Sequence, residues 1–326
     1  MAKKKERSFA EEAIVQLTTT FRPGIWSKFT KALKQYELLK EGDHVAVCIS
    51  GGKDSFLMAV LFKNLLRHSD FPFKVTYIVM NPGYNVENAL LIKENLRKLE
   101  IPAIIVSTDI FEIANSTGES PCYLCAKMRR GALYRIAKEH GCNKIALGHH
   151  YDDVIETTLM NMLNSGSFQT MLPKLPSIHY EGMELIRPLY LVREAEIKAF
   201  VEASGLRFLQ CACRFTEGVA DGHINSQRSK TKALIAELKK TYNPLVEKNI
   251  FTSASNVELD KIVGYKTAKE EKSFLDDYEA KKEKQFEEIR QSGIEDKAIE
   301  KAIREHRGFE IDESIKDEIE AKEAKQ

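Results

Sequence analysis

With 326 residues, 43% of them hydrophobic, the chain can build one large core or a core with a smaller appendage, which excludes disorder throughout. A net charge of +1 hides an asymmetry: residues 267–326 hold 13 Lys and Arg against 19 Asp and Glu, leaving 36 against 29 in the rest. The basic residues 1–7 lead into Ser8-Phe9-Ala10-Glu11-Glu12 without an apolar stretch, and no run reaches the ~18 apolar residues of a membrane span, so a soluble cytoplasmic protein with no membrane association is expected.

In chain order, residues 24–40 have the spacing of an amphipathic helix that enters a first strand at 44–49 through Glu41-Gly42-Asp43. Short β-rich runs then alternate with helical stretches: strands at 74–80, 103–108 and 144–147, helices near 55–67, 86–100 and 126–140. A helix at 152–164 precedes a short fifth strand at 185–187. Helices at 194–204, closed by Gly205, and at 226–242, stopped by Asn243-Pro244, follow. This alternation predicts an α/β fold, a parallel sheet of about five strands with helices on both faces. The last sixty residues, rich in Glu, Lys, Ala and Ile, predict a charged helical extension. The expected organisation is an N-terminal helical segment at 1–40, a catalytic domain at 41–225, a helical closing segment at 226–266 and the extension at 267–326. Solvated, salt-bridged helices account for that extension; the sharper expectation is a docking or self-association surface.

The first strand ends in Ser50-Gly51-Gly52-Lys53-Asp54-Ser55 and runs straight into a helix. Two residues without Cβ let backbone N–H groups approach phosphate oxygens, the helix start adds unsatisfied donors, and Lys53 adds a full charge. Ser50 and Ser55 supply hydroxyls, with Ser55 doubling as the helix cap. The spacing differs from the GxxxxGK[ST] loop of ordinary nucleoside triphosphatases. It is similar to the signature of PP-loop ATP pyrophosphatases, which implies a HUP-like fold, ATP cleavage between the α and β phosphates, and a structural or magnesium-binding Asp54.

After the fourth strand, Gly148-His149-His150-Tyr151-Asp152-Asp153 places polar groups on the carboxyl edge of the sheet, where open α/β sheets bind ligands. Both aspartates read as helix caps in isolation; opposite a phosphate loop they become candidates for magnesium or acid/base work. Neither histidine is given a catalytic role.

Of six cysteines, Cys48 and Cys142 read as small buried hydrophobes. Cys122 and Cys125 stand at the mouth of a basic helix containing Lys127, Arg129 and Arg130, a setting that favours the thiolate. With Cys211 and Cys213 they leave three readings open: a redox dithiol, tetrahedral zinc, or an iron–sulfur cluster on three thiols.

The order of these motifs, together with Leu172-Pro173-Lys174-Leu175, Ile186-Arg187-Pro188-Leu189 and Val192-Arg193-Glu194, resembles the TtcA/TtuA family of tRNA thiolation enzymes from about Leu39 to Cys213. It is most similar to the 2-thiocytidine branch. The resemblance implies a [4Fe-4S] cluster on Cys122, Cys125 and Cys211, with Cys213 as the alternative third ligand because Cys211-Ala212-Cys213 is shorter than the family's usual Cys-x-x-Cys. It implies Arg129 and Asp153 as active-site residues, Asp153 for proton transfer or orientation of the nucleophile, and Asp152 nearer the nucleotide or metal. ATP and Mg2+ would serve adenylation of a pyrimidine oxygen, at cytidine 32 of tRNA, which sulfur then replaces; the donor would be sulfide or a cysteine desulfurase. Lys127, Arg130, Arg187 and Arg193 are candidate RNA contacts, and a homodimer is a family expectation. Two rival readings are a PP-loop tRNA ligase without sulfur chemistry and a nucleotide sensor with structural zinc.

Overall fold

A computed structural model describes residues 7–116, 121–209 and 227–292. The chain divides after Asn256 into two compact units, the first spanning Met1–Asn256. In that unit α1 (Phe9–Thr18) opens with a capping box in which Ser8 and Glu11 satisfy each other's backbone donors. The helix expected at 24–40 is shorter. A π-helical turn at Arg22–Trp26, with Pro23 in its first turn, leads into α2 (Ser27–Gln35), and the chain leaves helical geometry at Glu37, whose φ is +49°.

The remaining elements are β1 (His44–Ile49), α3 (Lys53–Leu65), β2 (Lys74–Asn81), α4 (Val86–Lys98), β3 (Ala103–Ser107), α5 (Ile110–Ser116), α6 (Pro121–Glu139), β4 (Lys144–Ala146), α7 (Tyr151–Ser165), β5 (Lys174–Pro176), β6 (Glu184–Ile186), α8 (Glu194–Ser204), α9 (Gln227–Thr241) and α10 (Val246–Ser253). The six strands form one sheet in the order β3-β2-β1-β4-β6-β5. All pairs are parallel except β5–β6. The antiparallel edge strand is an addition to the expected sheet. Pro176 lacks an N–H for the ladder, which hides such a strand in the sequence and suits it to an edge.

Both faces of the sheet are buried, and alternation along the strands splits the core. Val45, Val47 and Ile49 point into a core shared with α3, whose Phe56, Leu57, Met58, Leu61 and Phe62 are almost wholly buried. Ala46 and Cys48 point the other way, beside Ile78, Met80 and Ile145, under Tyr134 and Ile136 of α6. Cys142 belongs to this second core, and burial pushes the Cys48 thiol up to about 12. The chain builds β1, β2 and β3 in one direction, then returns to add β4 on the other side of β1. The carboxyl ends of β1 and β4 therefore diverge at a topological switch point, the place where such sheets hold ligands.

The second unit contains a hairpin of β7 (Gly264–Lys266) and β8 (Glu271–Ser273), then α11 (Tyr278–Ser292). The hairpin falls across a boundary where only helix was expected. No helix among the described residues is long and apolar enough to cross a membrane.

Candidate active site

The phosphate loop is locked by its own side chains. Gly51 has φ +88°, and a Cβ there would lie 2.6 Å from Leu209 Cδ1. Ser55 does not cap α3 as expected: its Oγ accepts from Ser50 N at 3.1 Å and donates to Gly52 O at 2.8 Å, so it ties the loop to itself. Tyr84 Oη donates to Ser50 O at 2.9 Å from the β2 side. The N-cap is Gly52 and makes no side-chain capping bond, so the first amides of α3 keep their capacity for an anion. Lys53 Nζ donates to Asp54 Oδ2 at 3.2 Å and lies 3.2 Å from Glu194 Oε1.

The turn after β4 presses against this loop. A Cβ on Gly148 would stand 3.1 Å from both Asp54 C and Ser55 N, so that glycine is what allows the two turns to touch. Between them opens a cleft of about 380 Å³ lined by Ser50, Asp54, Ser55, Gly148, His149 and Asp153 and, from α6, by Ala126, Arg129, Arg130 and Leu133. The α6 residues follow i, i+3, i+4, i+7 spacing, one helical stripe. Lys127 is off that stripe and exposed.

The two aspartates have different settings. His150 is the N-cap of α7 and Asp153 its N3 partner: Asp153 Oδ2 accepts from His150 N at 2.9 Å, and Asp153 N donates to His150 Nδ1 at 3.4 Å. Asp153 Oδ1 accepts from Arg228 Nη1 at 2.5 Å. Asp152, expected nearer the nucleotide, turns instead to α8: Oδ2 accepts from Glu194 N at 2.7 Å and Oδ1 lies 3.0 Å from Arg193. It does not line the cleft.

One candidate RNA contact is corrected by its surroundings, and a second is engaged in ion pairs. Arg187 is 9% exposed and donates to the carbonyl of Leu172, too buried to meet a phosphate backbone. Burial, then the charge of Arg130, brings its guanidinium down to about 10. Arg193 is held between Asp152 and Glu247, 2.7 Å from the latter, with its guanidinium 4.8 Å from the Tyr151 ring centroid, where it braces α7, α8 and α10. Its side chain is nevertheless 33% exposed, so these ion pairs leave part of the guanidinium at the surface. Lys127 and Arg130 remain exposed on α6.

Three buried polar atoms at this edge have no hydrogen-bond partner among the described residues: Asp54 Oδ1, His149 Nδ1 and Arg187 Nε. Burial, then the charge of Arg187, holds the His149 imidazole down at about 4, so it is neutral at physiological pH. Sequence reading gave no role to Arg228, Glu156 or Glu194. Burial raises the Glu156 carboxyl to about 7, against the charge of Arg228. Burial would also raise Glu194, but its bonds to Lys232 and Lys198 and the charge of Lys53 carry it down to about 2. Nothing in the local pattern singles these residues out, because each is one charge among many on a helix.

Cys125 is half-buried and packs against both cores. It acts electrostatically on Tyr84, the residue that holds Ser50. The side chain of Cys122 and all of Cys211 and Cys213 lie outside the described residues. The chain comes back to the phosphate loop just before them: Leu209 N donates to Gly51 O at 3.3 Å.

A strand, a double-glycine loop and a helix at the switch point of a parallel sheet define a PP-loop nucleotide-binding domain, and the PP-loop domain family model matches residues 24–213. A tRNA-cytidine(32) 2-sulfurtransferase of Citrifermentans bemidjiense is 38% identical over 237 residues, covering 72% of this chain and 90% of the relative. Its counterpart in Geotalea uraniireducens is 34% identical over 249 residues, covering 74% and 96%. The chain belongs to the PP-loop family and, within it, to the family of these tRNA 2-sulfurtransferases. The fold is shared with the U34-tRNA thiolase NcsA of Methanococcus maripaludis, solved with its [4Fe-4S] cluster. The TM-score is 0.56 at 24% identity, over 74% of this chain and 80% of that one.

Proposed function

We propose that this protein thiolates tRNA at the expense of ATP, converting cytidine 32 to 2-thiocytidine. One observation carries the reading: the phosphate loop, the polar turn after β4 and the cationic stripe of α6 share one cleft, and the first turn of α6 bears Cys122 and Cys125. Relatives named for this reaction cover most of the chain.

The loop amides, Ser50, Ser55 and Lys53 would hold the phosphates and present the α-phosphorus to the C2 oxygen of the base. Adenylation then expels pyrophosphate, and most of the catalysis is orientation. Asp54 Oδ1, buried without a hydrogen-bond partner and 3.9 Å from His150 Nε2, fits a hard cation such as Mg2+. Arg129 and Arg130 offer charge to the nucleotide or to the tRNA backbone, and Lys127 to RNA from the exposed face of the same helix. Asp153 is held at both oxygens, by His150 N and Arg228, which suits orientation of neighbouring groups better than proton abstraction.

Cys122, Cys125 and Cys211 are the thiol type and number that an iron–sulfur cluster would need. Cys122 and Cys125 are one helical turn apart, and the chain touches the phosphate loop at Leu209, two residues ahead of Cys211. A [4Fe-4S] cluster on Cys122, Cys125 and Cys211, or Cys213 in place of the last, would supply the sulfur that displaces the activated oxygen, with AMP leaving. Sulfide, or the persulfide sulfur of a cysteine desulfurase released by an external thiol reductant, would renew that sulfur.

The test is iron and acid-labile sulfide on anaerobically purified protein, with nucleoside analysis of tRNA incubated with ATP and sulfide. Roughly four irons per chain and 2-thiocytidine are expected, both lost in a Cys122→Ser, Cys125→Ser, Cys211→Ser variant. Pyrophosphate release without any sulfur incorporation, indifferent to the cysteines, would mean a ligase instead.

A further inference from the structure

Three lysines from three helices converge on one carboxylate beside the phosphate loop. Glu194, the first residue of α8, accepts from Lys232 of α9 and lies 3.1 Å from Lys198 and 3.2 Å from Lys53. The Glu194 side chain is 14% exposed, whereas those of Lys198 and Lys232 are 58% and 50% exposed and reach inward from solvent. One carboxylate cannot neutralise three ammonium groups. Asp54 shares Lys53, while Asp152 and Glu156 act on Lys232 without a direct contact.

An acid in the first turn of a helix has an ordinary explanation, its favourable interaction with the helix dipole. That accounts for Glu194 at the start of α8, and Asp152 already accepts from its backbone N–H. It does not account for lysines brought to it from α3 and α9. Lys53 is the cation of the phosphate loop itself, so the acid that binds it occupies the neighbourhood an anionic ligand of the loop would enter.

We propose that Glu194 is an internal surrogate for the pyrophosphate end of the nucleotide, and that Lys198 and Lys232 are phosphate ligands beyond the loop. The proposal rests on the ATP-dependent reading above and extends its phosphate site to α8 and α9. Pyrophosphate carries more charge than a carboxylate and has more acceptor oxygens, so it satisfies three lysines better. On its arrival the lysines exchange Glu194 for phosphate oxygens, and the carboxylate turns from partner to competitor. The site is thereby kept assembled between turnovers, at the cost of some affinity.

The experiment is calorimetric titration of the full-length protein with inorganic pyrophosphate and, separately, with AMP. Lys232→Gln and Lys198→Gln should each weaken pyrophosphate about tenfold, the loss of one charge-assisted hydrogen bond, and leave AMP unchanged. Glu194→Gln should tighten pyrophosphate several-fold, because it removes the competing anion. A scaffold role alone would weaken it or leave it as it was. Should Lys232→Gln fail to fold by circular dichroism, Lys198→Gln, at a more exposed position, carries the test. Unchanged pyrophosphate affinity in the lysine variants, or unchanged or weaker binding in Glu194→Gln, overturns the surrogate while Lys53→Gln still weakens ATP. A wild-type protein that binds neither pyrophosphate nor ATP overturns the nucleotide reading as well.

Discussion

The two edges of the central sheet are built from similar residues and finished in opposite ways. At the amino edge, Asp43 is 1% exposed and Lys144 2%. Asp43 accepts from Lys40 N and Asn143 Nδ2, both at 2.8 Å, and lies 3.6 Å from Lys144, which also donates to Glu184. Asn143 Oδ1 accepts from His44 N at 2.8 Å, so the network ties β1, β4 and β6 and each named group is paired. At the carboxyl edge, Asp54 Oδ1, His149 Nδ1 and Arg187 Nε are buried without hydrogen-bond partners among the described residues. An unmade buried hydrogen bond costs about 1–3 kcal/mol, so three such atoms at one edge mark where a ligand or ordered water would find partners. The difference separates holding the sheet together from receiving a ligand.

The largest expected effect is at the closed edge. Asp43→Ala leaves Lys144 buried beside a cavity and should cost about 3–5 kcal/mol in urea denaturation, with ATP affinity of the folded protein unchanged. A loss below about 1 kcal/mol would mean that the amino edge relaxes freely, and the contrast would fail. The next effect is at the open edge. Gly148→Ala sets a methyl group against the backbone of Asp54 and Ser55, 3.1 Å away, and displaces the phosphate loop by a few tenths of an ångström. Pyrophosphate release should fall about a hundredfold while stability falls less than in Asp43→Ala. Equal losses of activity in the two variants would show the edges to be coupled rather than specialised.

What the sequence revealed follows the same division. β1 reads directly from its apolar run because both its faces are buried, and α8 from its length and the Gly205 C-cap. The phosphate loop was legible because consecutive glycines between strand and helix have few other uses. The edge strand at Lys174–Pro176 was not, since its identity depends on pairing with β6 and its own residues favour a turn. Nor was the division of labour between Asp152 and Asp153: adjacent residues on a helix point in different directions, and only the position of α8 decides which one meets Glu194 N. Arg187 looked like a surface cation because sequence carries no measure of how a charge is surrounded. Arg228 and Glu194 matter through partners 75 residues and more than a hundred residues away in the chain, Asp153 and Lys53.

The smallest expected effect tests whether the open edge is open electrostatically. Glu156 is 5% exposed and lies 3.8 Å from Arg228, yet burial lifts its carboxyl from 4.5 to about 7. An acid whose pKa is raised on folding binds a proton in the native state that the unfolded chain has already released. Its contribution to stability is therefore full below pH 4.5 and is lost as the pH rises through about 7. His149 runs the other way: held at about 4, it contributes fully above its ordinary value of 6.5 and loses that contribution as the pH falls through 4. Glu156→Gln fixes the neutral form and removes only the first slope. Unfolding free energies across pH 4 to 8 should coincide with wild type at the acid end and exceed it by about 3 kcal/mol above neutrality. A variant that tracks wild type throughout would mean that Glu156 is ionised and fully compensated by Arg228, and on that count the carboxyl edge would be as closed as the amino edge.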